Sequence, residues 1–330
     1  MKIIITGAAG MLGAELVKIF RDFNPVAVDR EGLDVTDRAA VFEFIKKAKP
    51  NLILNAAAYT DVEGAEDSEE EAAIVNGAAV GYIAEAAAEV GATVVHYSTD
   101  YVFDGQEKGG YAEDARPAEE PLNIYGATKL LGEMELVKNM SQYYLIRTSW
   151  LFGFGGKNFV DTMLRLGSER DEVKVVNDQH GKPTYTPDLA LATRQLVACA
   201  LLENFNKPSN PPPTIVPPGG TIVGGGTSVQ SEKLLTGGMS LEDTVYYPHG
   251  IYHITNEGAT TWYDFAKEIF KQADLTARGC AQSGLNLIPV TSAEFPTKAR
   301  RPAYGILKNT KFPPLRPWQS ALKDYLNYSS

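Results

Sequence analysis

The chain has 330 residues, of which 44% are hydrophobic and 22% are charged. This composition is typical of a globular protein and excludes a wholly disordered chain, and the length suits one large α/β unit or two domains. The formal net charge is −10, from 31 basic and 41 acidic side chains. No nucleic-acid partner is expected, because binding to a phosphate backbone requires a basic face.

Short runs of β-branched residues alternate with helical stretches along the chain. The predicted strands are residues 2–6, 25–29, 52–55, 93–98 and 143–148, followed by two later candidates at 173–176 and 251–254. The predicted helices are residues 11–23, 38–47, 69–90 and 125–137. Strands that are apolar on both faces and separated by helices predict a parallel sheet covered on both sides. The expected fold is α/β, a Rossmann-type doubly wound parallel sheet with a smaller C-terminal substrate-binding domain.

The expected domain boundary lies near residue 150. We expect residues 1–150 to form a dinucleotide-binding domain, which the strands at 173–176 and 251–254 would join. Residues 151–330 would mainly bind substrate.

Two segments differ from the rest in composition. Residues 204–248 hold seven Pro and seven Gly, which predicts a long loop or a partly disordered insertion. Residues 61–71 hold seven carboxylates, which fit a solvated helix start better than a metal site.

Cysteine content and hydropathy bear on location. Cys199 and Cys280 form no CxxC pair and no disulfide framework, which favours a reducing, cytoplasmic setting. No apolar run approaches the roughly 18 residues of a membrane span, so no membrane partner is expected.

Three glycines, Gly7, Gly10 and Gly13, follow the first predicted strand and open the first predicted helix. The free N–H groups of a helix N-terminus bind a pyrophosphate, and glycines allow its close approach. An acidic residue is expected about 20 positions later, at the end of the second strand, and Asp29 stands there. The dinucleotide contacts expected in this part of the chain are Gly7, Gly10, Met11, Leu12, Gly13, Asp29, Arg30 and Asp34.

The spacing GxxGxxG resembles that of the extended short-chain dehydrogenase/reductase superfamily, and three further motifs extend the resemblance. An Asn-Ala-Ala stretch follows a middle strand, Thr99 ends a later strand, and Tyr125 and Lys129 form Tyr-x-x-x-Lys in a predicted helix. The second group of expected cofactor contacts is Asn55, Ala56, Ala57, Ala58, Tyr125 and Lys129.

The pair Tyr125 and Lys129 predicts a proton donor. Residues four apart lie on one face of a helix, and a nearby ammonium lowers the pKa of a tyrosine from its ordinary value of about 10. Tyr125 would then give its proton to a carbonyl oxygen. Thr99 would orient that oxygen, and Lys129 would also bind the nicotinamide ribose. The predicted catalytic residues are therefore Thr99, Tyr125 and Lys129.

Outside the insertion, nearly the whole sequence resembles the dTDP-4-dehydrorhamnose reductase family. The motifs that carry this resemblance are HYSTDYVFDG at 96–105, PLNIYGATKLLGE at 121–133, RTSWLFG at 147–153, NFVDTMLRL at 158–166, VVNDQHGKPT at 175–184, TTWYDFA at 260–266 and ARRP at 299–302. The resemblance implies reduction of the 4-keto group of dTDP-4-dehydro-L-rhamnose to dTDP-L-rhamnose, with NADPH or NADH. It also implies that the nucleotide sugar contacts Thr99, Asp100, Tyr101, Trp150, Asn158, Gln179, Thr184 and Arg301.

Several features of this expectation stay open. Asp29 favours NADH and Arg30 favours NADPH, so mixed use with a modest preference for NADPH is expected. Some family members hold magnesium between subunits. Glu15 and Asp188 stand at plausible positions here, but two carboxylates make no site and no metal ligand is assigned. A homodimer is left open, and Gly305 replaces a serine that is frequent in the family.

Other functions compete with the reductase. A nucleotide-sugar dehydratase usually carries Thr-Asp-Glu, whereas Tyr101 here follows Asp100. A nucleotide-sugar epimerase would retain its NAD through many turnovers. A non-enzymatic regulatory subunit of methionine adenosyltransferase shares this fold, but such a subunit would not require the whole set of catalytic and sugar-facing motifs.

Overall fold

The computed structural model describes residues 1–198, 245–273 and 285–328. Both cysteines and most of the segment 204–248 lie outside the described residues. The strands are β1 (Ile3–Thr6), β2 (Val26–Val28), β3 (Leu52–Asn55), β4 (Thr93–Thr99), β5 (Tyr143–Thr148), β6 (Leu151–Phe152), β7 (Glu172–Val176), β8 (His180–Gly181), β9 (Thr184–Tyr185), β10 (Gly250–His253), β11 (Thr260–Thr261) and β12 (Asn286–Val290). The helices are α1 (Met11–Ile19), α2 (Arg38–Ala48), α3 (Val62–Ala65), α4 (Glu69–Ala73), α5 (Ala79–Val90), α6 (Ile124–Asn139), α7 (Phe159–Glu169), α8 (Thr186–Leu196), α9 (Trp262–Ala273) and α10 (Trp318–Tyr328).

The central sheet has six parallel strands in the order β2-β1-β3-β4-β5-β10. The predicted parallel α/β sheet is therefore confirmed. The chain passes from β1 to β2 on one side of β1, and it then crosses back to form β3 on the other side. Ligands of such sheets bind outside the carboxyl ends of the strands where the order reverses.

Helices cover both faces of this sheet. On one face, α1 and α8 pack on a core that includes Ile3, Ile5, Leu52, Leu54, Leu16 and Leu189. On the other face, α2, α5 and α6 pack on a core that includes Ile4, Ile53, Val94, Ile45, Ile83 and Leu136. The alternation of odd and even residues between the two cores follows from the two-residue period of a strand.

The second half of the chain contributes to two cores. The strand predicted at 251–254 is β10, which pairs with β5 in the central sheet. The strand predicted at 173–176 does not join that sheet: β7 pairs with β12 in a separate two-stranded sheet. There it belongs to a further core with α7, α9 and α10. The expectation that this strand extends the central sheet is wrong, because residue pattern alone does not specify a strand's partner.

The helix predicted at 69–90 contains an irregular turn. Residues Ile74–Ala78 form a π-helical turn between α4 and α5. The segment Glu69–Val90 is long and apolar enough to cross a membrane by length and composition, contrary to the expectation that no apolar run approaches that length. Half of its apolar window is buried, and α5 packs against α2 and α6, as an interior helix does.

A buried ion pair joins α6 to the central sheet. The guanidinium of Arg147 on β5 donates from Nε to Glu133 Oε1 at 2.9 Å and from Nη2 to Oε2 at 2.7 Å. Both side chains are almost completely buried, at 2% and 5% exposure. Removal of one partner leaves the other charge buried and unpaired.

We predict that Arg147→Met lowers the free energy of unfolding by about 3–5 kcal/mol, because Glu133 loses its partner inside the protein. Urea denaturation of the variant and the parent chain measures the difference. Arg165→Met is the matched control, since Arg165 pairs with Glu169 on the surface and its loss should cost less than about 1 kcal/mol. Equal losses in the two variants would contradict the assignment.

Candidate active site

A cavity of about 890 Å³ opens at the carboxyl ends of the central strands. It is lined by residues that the sequence patterns select from seven separate parts of the chain. The predicted residues that line it are Gly7, Gly10, Met11, Leu12, Gly13, Asp29, Arg30, Asp34, Asn55, Ala56, Ala57, Ala58, Thr99, Asp100, Tyr101, Tyr125, Lys129, Trp150 and Arg301. The structure thus brings together both groups of expected cofactor contacts and the three predicted catalytic residues.

The glycine loop between β1 and α1 is packed so closely that side chains would not fit. Gly7 has a φ of +65°, and a Cβ there would lie 2.6 Å from the amide nitrogen of Ala57. A Cβ on Gly13 would lie 2.0 Å from the carbonyl oxygen of Gly7. Gly10 is the N-cap of α1 and makes no side-chain hydrogen bond. The first N–H groups of the helix, which lie at the cavity wall, are therefore not occupied by a capping side chain. This loop fits an anionic group such as a pyrophosphate.

The region after β2 combines acidic and basic groups. Asp29 Oδ1 accepts hydrogen bonds from the amides of Glu31 and Gly32, so this carboxylate closes its own turn. The Arg30 side chain is 80% exposed, and its Nη1 lies 3.9 Å from Glu71 Oε1. A weak surface pair of this kind leaves the guanidinium available to a ligand.

Thr99 and Asp100 form a buried pair at the end of β4. The Thr99 hydroxyl donates to Asp100 Oδ1 at 3.0 Å, whereas Asp100 Oδ2 has no hydrogen-bond partner among the described residues. Burial raises the pKa of Asp100 to about 7. Burial also raises the pKa of Tyr125, the nearby Asp100 carboxylate raises it further, and hydrogen bonding with Thr99 opposes the rise. Tyr125 therefore keeps its proton through the neutral range.

Lys129 is buried one helical turn after Tyr125. Its Nζ donates to the carbonyl oxygen of Tyr97 at 2.6 Å and lies 3.5 Å from Nε2 of His96. Burial lowers the pKa of Lys129 to about 8, and Glu133 opposes the shift. The net lowering of the Tyr125 pKa that the sequence predicts is not found: burial of the phenol dominates and raises this pKa, and the Lys129 ammonium is directed at β4.

Two stacked tryptophans line the cavity. The rings of Trp150 and Trp262 stack with centroids 3.5 Å apart and planes 9° apart. Trp150 has a φ of +47°, a left-handed conformation that is unfavourable for a bulky residue. A Cβ on Gly181 would lie 2.4 Å from the Trp150 ring, so glycine is required behind it.

Arg301 reaches the cavity from the C-terminal part of the chain. Its Nη1 lies 2.6 Å from Glu63 Oε1 and donates to the carbonyl oxygen of Ala299 at 3.0 Å. Lys298 nearby pairs with Asp67. The acidic segment 61–71, rather than being only a solvated helix start, thus anchors the segment that carries Arg301.

Three predicted substrate contacts do not line this cavity. Asn158 caps α7, and its amide donates to the carbonyl of Gly153 and to the hydroxyl of Tyr325. Gln179 donates to Ser292 at 3.0 Å, and Thr184 is fully buried in β9. Their polar groups satisfy bonds within the fold in this structure, and a sequence motif does not distinguish that use from ligand binding.

The two carboxylates considered for magnesium do not fit a metal site within this chain. Glu15 accepts from Lys18 at 2.7 Å. Asp188 Oδ2 accepts from Arg316 at 2.8 Å and from Asn256 at 2.7 Å. Among the described residues, no three His, Cys, Asp or Glu side chains form a group suited to a metal ion.

Some cavity residues were missed by the sequence reasoning. Trp262, Ser149 and Lys157 line the cavity, and Glu63 contacts Arg301. Trp262 and Ser149 lie within motifs that the sequence shows, TTWYDFA and RTSW. Trp262 is distinguished from a core residue only by its stacking with Trp150, and Ser149 only by its position directly after β5.

Comparisons with known proteins find relatives over nearly the whole length of this chain. The model of the RmlD substrate binding domain family matches residues 1–207 and 234–330. The intervening residues lie within the predicted insertion. A dTDP-4-dehydrorhamnose reductase from Aggregatibacter actinomycetemcomitans is 38% identical over 340 residues, which cover 99% of this chain and 99% of the relative.

Two crystal structures of proteins with the same name resemble this structure. The protein from Clostridium acetobutylicum has a TM-score of 0.79 and 34% identity, covering 100% of this chain and 99% of that chain. The protein from Bacillus anthracis, in complex with NADP, has a TM-score of 0.78 and 32% identity, covering 99% of each chain.

We predict that Gly13→Ala lowers the free energy of unfolding by about 1–3 kcal/mol, because its Cβ would collide with the backbone of Gly7. Gly10→Ala is the control within the same motif, since its Cβ would lie 3.2 Å from the nearest atom and its backbone suits alanine. Urea denaturation compares the two variants. Equal stability of both would show that Gly13 is not required for helix–strand contact.

Proposed function

Because the chain belongs to the RmlD substrate binding domain family, we propose that it reduces the 4-keto group of dTDP-4-dehydro-L-rhamnose to give dTDP-L-rhamnose, with NADPH or NADH. The observation that carries the proposal is that Thr99, Tyr125 and Lys129 line the same cavity as the glycine loop. A proton donor therefore lies where a nicotinamide and a carbonyl would meet. The substrate is inferred from the names of the relatives, and the type of reaction is inferred from the residues that line the cavity.

The chain's residues divide the binding of the cofactor among three regions. The amides at the start of α1 would bind the pyrophosphate, Asp29 and Arg30 would contact the adenosine ribose, and the backbone of Ala56–Ala58 would lie against the middle of the molecule. A reduced nicotinamide bound in this way supplies the hydride that carbonyl reduction requires.

Tyr125 supplies the proton in this mechanism. Its phenol is protonated at neutral pH, so it donates O–H to the carbonyl oxygen of the sugar as negative charge develops there. The Thr99 hydroxyl orients the same oxygen. The positive charge of Lys129, four residues along α6, stabilises the phenolate that remains once the proton has left.

The substrate end of the cavity suits a nucleotide sugar. The stacked rings of Trp150 and Trp262 offer an apolar face for the deoxysugar, and Arg301 offers a guanidinium whose planar geometry fits a diphosphate. A dehydratase is disfavoured because Tyr101 stands where the elimination base belongs.

The proposed reaction is tested by identifying the product. The protein is supplied with enzymatically generated dTDP-4-dehydro-L-rhamnose and either NADPH or NADH, and the sugar is characterised by NMR. Formation of dTDP-L-rhamnose supports the proposal. A different epimer, a dehydrated sugar or an unchanged sugar would overturn it.

We predict that Tyr125→Phe removes most turnover while cofactor binding and folding stay close to those of the parent. Loss of a general acid costs about 10²- to 10⁴-fold in kcat. Steady-state kinetics give the loss, and fluorescence titration with NADPH checks binding. Tyr143→Phe is the matched control, because it makes the same replacement on β5 at a residue that does not line the cavity. Near-normal kcat in Tyr125→Phe would exclude this role.

We predict that Arg30→Ala weakens NADPH use by about 1.5–3 kcal/mol in kcat/KM, the value of one hydrogen bond to a charged group, and leaves NADH use nearly unchanged. The reason is that only NADPH carries the 2′-phosphate that the guanidinium would bind. Arg21→Ala is the control, since Arg21 is similarly exposed and does not line the cavity. Equal losses with both cofactors, or none with either, would exclude the role of Arg30.

A further inference from the structure

A row of polar side chains crosses three strands of the central sheet behind Lys129. Thr6, Asn55 and His96 are register partners on β1, β3 and β4. Two positions earlier on the same strands and the same face, Ile4, Ile53 and Val94 form an apolar row. The sheet therefore changes from apolar to polar at its carboxyl edge, beneath α6.

Thr6, Asn55 and His96 are hydrogen-bonded in series, and the His96 ring then meets Lys129. The Thr6 hydroxyl donates to Asn55 Oδ1 at 2.7 Å, and Asn55 Nδ2 lies 3.1 Å from Nδ1 of His96. His96 Nε2 lies 3.5 Å from the ammonium nitrogen of Lys129. The exposed fractions of these four side chains are 2% or less. Buried polar groups are retained only where their partners satisfy them, so the row is a connected network rather than four separate residues.

The network has two complete hydrogen-bonding arrangements. In the structure the Asn55 amide nitrogen faces Nδ1, so the ring proton of a neutral His96 is on Nε2 and points at Lys129, which suits a neutral amine. When the Asn55 amide is turned, Nδ1–H donates to its oxygen, its nitrogen donates to Thr6, and bare Nε2 accepts from an ammonium. The imidazole is neutral in both arrangements, because burial and the Lys129 charge hold the pKa of His96 well below its ordinary value.

We propose that His96 is a positioning residue that acts through Lys129: its Nε2 accepts a hydrogen bond from the ammonium, and the Asn55 amide, paired with Thr6, turns so that Nδ1 is hydrogen-bonded in either tautomer. The proposal rests on the proposed reductase function, in which the charge of Lys129 stabilises the Tyr125 phenolate. His96 touches neither substrate nor cofactor. Its contribution is to keep Lys129 charged and directed at β4, in the place where the Tyr97 carbonyl also accepts from it.

Other ionisable groups surround this contact and remain in place in the test. They are Tyr125 and Glu133 on α6, Tyr97 and Asp100 on or after β4, and Arg147 on β5. Glu133 is already engaged by Arg147 through two hydrogen bonds. Of the neighbours named, His96 is the one that offers Lys129 an uncharged side-chain nitrogen.

Two substitutions separate the two ring nitrogens of His96. In His96→Gln the side-chain amide reaches the position of Nε2 and keeps an acceptor for Lys129. In His96→Asn the amide reaches only the position of Nδ1, so it keeps the Asn55 contact and loses Lys129. Both replacements are polar amides. Thermal denaturation of the two variants checks that both retain the fold equally.

The pH profile of kcat/KM distinguishes the variants. Activity needs the Lys129 ammonium, so it falls as pH rises through the pKa of that group. Loss of an acceptor lowers that pKa, so we expect the alkaline limb of His96→Asn to lie about one pH unit below that of the parent chain. At pH values above both limbs this corresponds to a loss of about tenfold in kcat/KM. His96→Gln should keep the parent's limb, and identical limbs in the two variants would overturn the proposal.

A second measurement does not depend on turnover. The chain has four histidines, so ¹⁵N-histidine labelling gives a simple spectrum in which His96→Gln identifies the His96 signals. We expect the ring proton to move from Nδ1 to Nε2 as pH rises through the Lys129 pKa of about 8, and to stay on one nitrogen in Lys129→Met. A His96 tautomer that is independent of pH in the parent chain would overturn the proposal. A chain that reduces no keto sugar would instead contradict the proposed function and leave this titration readable.

Discussion

The buried ammonium group of Lys129 is the constraint on which the arrangement of the site depends. A lysine that is 2% exposed is tolerated only where fixed groups replace its hydration. The Tyr97 carbonyl supplies one such group from β4, and the neighbouring His96 ring supplies a second in the tautomer proposed above. Glu133, one turn further along α6, supplies a negative charge that Arg147 in turn holds in place. These partners come from one helix and two adjacent strands. The position of α6 over the sheet is therefore tied to the charge of Lys129, and so is the position of Tyr125 on the same helix.

The parallel sheet explains why distant parts of the chain meet in one cavity. All strands of the central sheet run in one direction, so the residues that follow β1, β3 and β4 emerge at the same edge. The register places Thr6 beside Asn55, and Asn55 beside His96. The glycine loop, the alanine stretch and the Thr99–Asp100 pair therefore form one wall. The further core, which contains α7, α9 and α10, supports the tryptophan pair on the other side of the cavity.

Much of this arrangement is predictable from sequence for identifiable reasons. Buried parallel strands are short β-branched runs, and only glycines fit the loop in which a Gly13 side chain would strike Gly7. Features that depend on tertiary partners were not predictable. The strand β7 reads like a sheet strand but pairs with β12, and the Asn158 motif serves as a helix cap. The sequence pairs Tyr125 with Lys129, but it does not show that the ammonium is directed at Tyr97, or that burial raises the pKa of the phenol.

Hydride transfer to the sugar C4 in this cavity is tested by following the transferred hydrogen. The protein is given dTDP-4-dehydro-L-rhamnose and NADPH deuterated on one face of the nicotinamide C4, and the sugar is examined by NMR; a second reaction uses the other face. We expect deuterium at the sugar C4 from one face only, in a single epimer. Deuterium at another sugar carbon, transfer from both faces, or a product that carries none from either would contradict this expectation.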